Sequence, residues 1–96
     1  MIFIGTANWT EQGIRGVKDF AKRTSAAREA AKKLGVDIKQ IYMTSGEHDL
    51  LVIMETANGD NIAKLMLTIG GLGNIRTCTV RAWSEAETAK LISELP

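Results

Sequence analysis

The chain has a single histidine among its 96 residues. It is His48, in the stretch Gly46-Glu47-His48-Asp49. An imidazole titrates near neutral pH and could act as a general base at the mouth of a cavity. The apolar run Leu50-Leu51-Val52-Ile53-Met54 reads as a strand that begins at His48, and adjacent strand residues point to opposite faces. His48 then aligns with Leu50, Val52 and Met54, and Asp49 with Leu51, Ile53 and Glu55, so the two do not form a dyad. His48 is the one catalytic candidate. A histidine bonded to backbone or solvent at a hairpin end is the commoner case.

A second constellation is Thr77, Thr79, Arg81 and Trp83, which alternate onto one face of a strand. Arg76, Cys78, Val80 and Ala82 take the other. The small, apolar Cys-Val-Ala side is expected beneath a helix. That turns the Thr-Thr-Arg-Trp side toward a partner sheet or an internal cavity. A guanidinium there needs a counter-charge, because an unpaired buried charge is very costly. A carboxylate ligand would supply it; an ion pair with Asp49 or Glu55 is the more usual solution. Asn8, Trp9, Tyr42 and Trp83 combine apolar bodies with polar tips, as small-molecule pockets require, although aromatics at strand ends more often pack in cores or interfaces. The candidate ligand-binding residues are therefore Asn8, Trp9, Tyr42, Asp49, Arg81 and Trp83.

Other chemistries find little here. Gly70-Gly71-Leu72-Gly73 follows a helix and precedes a strand, whereas phosphate loops open a helix. These glycines are expected to cap and turn. One histidine and scattered carboxylates offer no metal-ligand spacing, so no metal and no cofactor is expected. Cys78, in mid-strand on the expected helix side, is a poor nucleophile, and a lone cysteine allows no internal disulfide. The first helix is basic, but Asp19 and Glu29 interrupt it. The central strand from His48 to Glu55 also lacks the stacking aromatics of RNA-binding sheets. With a net charge of +1, no nucleic-acid or membrane partner is expected. No apolar run approaches a membrane span and Met1 is followed by no signal-like segment, so a cytoplasmic protein is expected.

Local signals along the chain position these residues. Ile2 to Trp9 is uncharged and rich in β-branched and aromatic side chains, as in a strand buried on both sides. Thr10 can cap a helix to about Leu34, with Ile14, Val17, Phe20, Thr24, Ala27, Ala31 and Leu34 at helical spacing. Gly13 and Gly16 weaken its first turns, so a break before Lys18 is plausible, and Gly35 ends it. Val36–Ser45 and His48–Ala57 form a hairpin of strands around Gly46-Glu47. Asp60 or Asn61 can cap a second helix to about Ile69; Asn74–Trp83 is a fourth strand. Ser84 and Glu87 make a capping box for a short last helix. The order β-α-β-β-α-β is the ferredoxin-like plan, an α+β fold in one domain over residues 1–96. The central strand is apolar on both faces, yet helices can cover only one. A second copy is the natural cover for the other, so a homodimer or higher oligomer is expected.

Three blocks resemble one family. Asn8-Trp9-Thr10 with Gly13, Tyr42-Met43-Thr44 leading into Gly46-Glu47-His48-Asp49, and Gly73-Asn74-Ile75-Arg76-Thr77 with Arg81-Ala82-Trp83 are similar, in order and spacing, to the GYD-domain family. The motif glycine and aspartate correspond to Gly46 and Asp49, and His48 stands where the motif has tyrosine. The resemblance implies a dimeric α/β barrel, two ferredoxin-like sheets face to face. Relatives in that wider fold include cofactor-independent monooxygenases and isomerases. The expected function is a homodimeric module that binds a small organic ligand. The alternative is a cofactor-independent monooxygenase or isomerase acting on a small organic substrate, anionic or neutral, with His48 moving a proton.

Overall fold

A computed structural model describes residues Met1–Pro96. The chain forms β1 (Ile2–Trp9), α1 (Glu11–Arg15), a 3-10 turn (Val17–Asp19), α2 (Phe20–Lys33), β2 (Val36–Met43), β3 (Leu50–Thr56), α3 (Gly59–Gly70), β4 (Ile75–Ala82) and α4 (Glu85–Ser93). The strands make one four-stranded sheet in the order β2-β3-β1-β4. Every neighbouring pair is antiparallel. Each helical connection skips one strand, which is the ferredoxin-like plan read from the sequence.

Local chemistry sets the boundaries. Thr10 caps α1, its hydroxyl accepting from the Gly13 amide at 3.0 Å. The first helix does break before Lys18, at Gly16, and a 3-10 turn joins its two parts. Gly35, at φ +76°, leaves α2 through the left-handed region that glycine tolerates best. The cap of α3 is Asn58 rather than Asp60 or Asn61; its side chain accepts from the Asp60 amide at 3.0 Å. The strands on either side of Gly46 are shorter than expected. They end at Met43 and restart at Leu50, so His48 and Asp49 belong to the connecting loop.

α2 and α3 cover one face of the sheet. Its core is Ala31, Val36, Met54, Ile62 and Leu65, with Phe3, Val52 and Ile69 packed against it. Met54 and Leu65 are the largest side chains fully removed from solvent. Only 10 of 96 residues are buried, so the chain by itself encloses a thin core.

The opposite face carries no helix. Directly opposed residues of an antiparallel pair share a face. Arg81 opposes Phe3, Thr79 opposes Gly5 and Thr77 opposes Ala7, and Phe3, Gly5 and Ala7 lie under the helices. The expected orientation of β4 is therefore reversed. Thr77, Thr79 and Arg81 are on the helix side, and Arg76, Cys78, Val80 and Ala82 on the open side. Cys78 is exposed rather than covered. The open face gathers Ile2 and Ile4 from β1, Leu51 and Ile53 from β3, and Val80 and Ala82 from β4. It is bordered by the Asp37–Lys39–Glu55 ion-pair cluster at 2.8 and 3.7 Å.

α4 stands apart. Its capping box forms as expected, the Ser84 hydroxyl accepting from the Glu87 amide at 3.1 Å and the Glu87 carboxylate from the Ser84 amide at 3.0 Å. None of its residues is buried, and it packs against no other element to any extent. The radius of gyration is consequently 14.7 Å, against about 12.5 Å for a compact chain of this length. No helix is long and apolar enough to cross a membrane.

Candidate functional site

Three segments far apart in sequence meet at one end of the sheet, where β1 finishes and β3 and β4 begin. The Asp49 carboxylate accepts from the Trp9 amide at 3.0 Å. The Asn8 side-chain oxygen accepts from the Asp49 amide at 3.1 Å. On the other flank Thr10 donates its amide to the Asn74 carbonyl at 3.0 Å and its hydroxyl to the Gly73 carbonyl at 2.6 Å. Gln12 adds bonds to the Leu72 carbonyl and the Asn74 side chain. Asn8, Trp9 and Asp49 are thus brought together, and Asn8 and Asp49 spend polar atoms on joining strands. Gly13 is buried beneath this clasp. A Cβ there would lie 1.8 Å from the Asn74 carbonyl oxygen, so only glycine lets α1 sit this close to the turn before β4.

The remaining candidates lie elsewhere. Arg81 and Trp83 are near the far end of β4, opposite the start of β1. Arg81 is exposed and stacks over the Trp83 ring at 4.5 Å from its centroid. The expected ion pair with Asp49 or Glu55 does not form. Asp49 is at the other end of the sheet, and Glu55 pairs with Lys39. Being solvated, Arg81 needs no counter-charge. Tyr42 is exposed on the open face, opposite Leu51. His48 is exposed in the loop; its backbone carbonyl accepts from the Thr44 hydroxyl. Gly46, at φ +102° with nothing within 4 Å of a Cβ, serves the loop's backbone path alone.

Next to the clasp, between the helices and the sheet, is a cavity of about 210 Å³. Its origin is a shortage of side-chain volume. Gly5 and Ala7 of the central strand face Ala26, Ala27 and Ala30 of α2, and interiors otherwise pack without voids. Trp9 and Phe20 close the clasp end, and Val52, Met66 and Ile69 supply other walls. The lining is overwhelmingly apolar. Its one charged member is Arg23, with Asn74 and Thr77 among the few polar ones. Arg23 was hidden in the sequence as one cation of a basic helix. Here it is half-buried and donates from Nη1 to the Gly13 carbonyl at 2.9 Å. Of the six residues with binding roles expected from the sequence, Trp9 alone lines this cavity. No cluster of acids, histidine and cysteine could hold a metal ion.

A family model described as the GYD domain matches residues 3–92. The chain belongs to the GYD-domain family. The first block by which the sequence resembles GYD domains, the Asp49 end of the second and the Gly73-Asn74 start of the third meet at the clasp; the Arg81-Ala82-Trp83 part lies away from it. Among curated proteins nothing matches. Two solved structures share the fold of this GYD domain. The de novo designed protein Foldit4 is 13% identical with a TM-score of 0.51, covering 85% of this chain and 96% of its own. The de novo designed protein Ferredog-Diesel is 15% identical with a TM-score of 0.51, covering 83% of each chain. At such identities the likeness concerns fold alone.

Proposed function

We propose that this GYD domain is a homodimeric binding module that holds a small, mainly apolar organic molecule between α2, α3 and the sheet. The apolar cavity of about 210 Å³ carries the reading. A dry apolar cavity of about 150 Å³ takes up benzene in another protein, so this volume suits a one- or two-ring compound. The oxygenase or isomerase reading lacks comparable support, because His48 does not line the cavity.

The homodimer is supported by the open face and by α4. Val80 is 57% exposed in mid-strand with Ile4 beside it, and contiguous apolar surface of this kind marks an interface. Four strands of seven or eight residues cover a flat footprint of about 500 Å². Stable interfaces take about 800 Å² from each partner. α4 and the residues just after it offer further apolar surface in Leu91, Ile92 and Leu95. Helices shorter than about 12 residues are marginal without packing, so a nine-residue α4 is best held by contact with a second copy.

Thermal denaturation with naphthalene-sized compounds tests the binding. A ligand at about 100 times its Kd stabilises by about 2.7 kcal/mol, and Ala27→Phe, which fills the cavity, should abolish the gain. An equal gain in that variant, or none in the wild type, rejects the site. Light scattering tests assembly: the wild type should have twice the chain mass and Ile53→Asp the mass of one chain. A wild type that stays monomeric when concentrated rejects the homodimer.

A further inference from the structure

We infer that Arg23 is an anchor for an anionic group, so that the cavity's ligand is an apolar body carrying one carboxylate or comparably charged oxygen. The inference rests on the cavity being a ligand site and specifies what enters it.

Arg23 is the one charged side chain of the lining. The ion pairs of the chain engage Arg15 and Lys39, and none reaches Arg23. Its one hydrogen bond goes to a neutral acceptor, the Gly13 carbonyl at 2.9 Å. A guanidinium has five N–H donors, and only one of those on Arg23 is engaged within the chain. The remaining donors are best satisfied by an oxyanion, which matches their fork geometry.

The seat for Arg23 is made of backbone. A Cβ on Gly16 would lie 2.2 Å from Nη2, so the guanidinium occupies the space that a side chain at the helix break would take. The Gly13 carbonyl holds its other nitrogen, and Gly13 itself abuts Asn74, another lining residue. The charge therefore sits at the clasp end of the cavity, near Trp9 and Phe20, with the apolar walls beyond it. Arg81, the arginine that the sequence favours for this task, is exposed and outside the lining.

The test compares naphthoate with naphthamide, which have nearly the same shape and differ in charge. Binding is followed by calorimetry to wild type, Arg23→Met and Arg23→Lys, with folding checked by circular dichroism. The wild type should prefer naphthoate by tenfold or more, as for a charge-assisted hydrogen bond. Arg23→Met should bind naphthamide as the wild type does and naphthoate no better than naphthamide, and Arg23→Lys should keep part of the preference. Equal binding of both compounds by the wild type, or a preference that survives in Arg23→Met, overturns the anchor and leaves the binding cavity standing. If neither compound binds the wild type, both fail. A folded but less stable Arg23→Met that retains the acid preference shows that Arg23 only braces Gly13.

Discussion

Replacing Gly13 by alanine isolates the clasp that joins the family's sequence blocks. Helix propensity alone favours alanine over glycine by about 1 kcal/mol, so a reading confined to α1 predicts a more stable protein. The tertiary structure predicts the opposite. The new methyl would lie 1.8 Å from the Asn74 carbonyl oxygen and 2.8 Å from its carbon, well inside the roughly 3.5 Å of an ordinary contact. Both atoms are backbone, so α1 must lift or the turn before β4 must shift. Either movement breaks the bonds from the Thr10 amide and hydroxyl to Asn74 and Gly73, each worth about 1 kcal/mol. Overpacking adds about 1–3 kcal/mol. After the propensity gain, the net loss should be about 2–4 kcal/mol, a fall in Tm of roughly 10–30 °C for a domain of this size. Thermal and urea unfolding at one fixed protein concentration measure it, because association also adds to stability. The internal control is Gly70→Ala at the end of α3, where a Cβ meets nothing within 4 Å and stability should rise by up to about 1 kcal/mol. If both variants are stabilised alike, the clasp is not what Gly13 is for and the argument is refuted.

Two further outcomes are expected. Met54→Ala removes a core side chain that is 1% exposed and should cost about 2–5 kcal/mol; urea unfolding showing less than about 1 kcal/mol would place the core elsewhere. The backbone bond from Ser84 holds the Glu87 carboxyl below its ordinary value of 4.5. A carboxyl whose folded value is lowered contributes above its unfolded value and loses the contribution as pH falls through the folded one. Helical circular dichroism should thus decline below about pH 4.5, more in wild type than in Glu87→Gln, and an identical decline in both would dismiss the capping-box contribution.

Much of the fold was legible because it rests on short-range rules. Ala27, Ala31 and Leu34 fell at helical spacing, Gly35 marked a left-handed exit, and Ser84 with Glu87 spelled a helix start. The order of these elements then left few topologies. The two-faced greasiness of Leu50 to Met54 was also visible, and one of its faces is indeed uncovered. The orientation of β4 was not legible. Alternation separates two sets of residues without saying which set meets the helices, and the greasier set was assigned inward. In the structure that set is outward.

The site was less legible still. Residues were chosen by chemical type, and type led to Arg81, His48 and Tyr42, which are all exposed. Trp9 does line the cavity, because an aromatic at the end of a buried strand must cover something. Arg23 was missed because its neighbours in sequence are other cations. Only the packing of α2 distinguishes the one cation turned toward the cavity.

The amino-acid sequence by itself determined the elements, their order, their caps and the surplus of apolar surface, since these follow from backbone preference and periodicity along the chain. The tertiary structure alone decided which side of β4 faces the helices, where Gly13 must yield to a carbonyl, and that small residues from β1 and α2 meet across an unfilled space. Those are relations between residues distant in sequence, and no local preference encodes the distance between them.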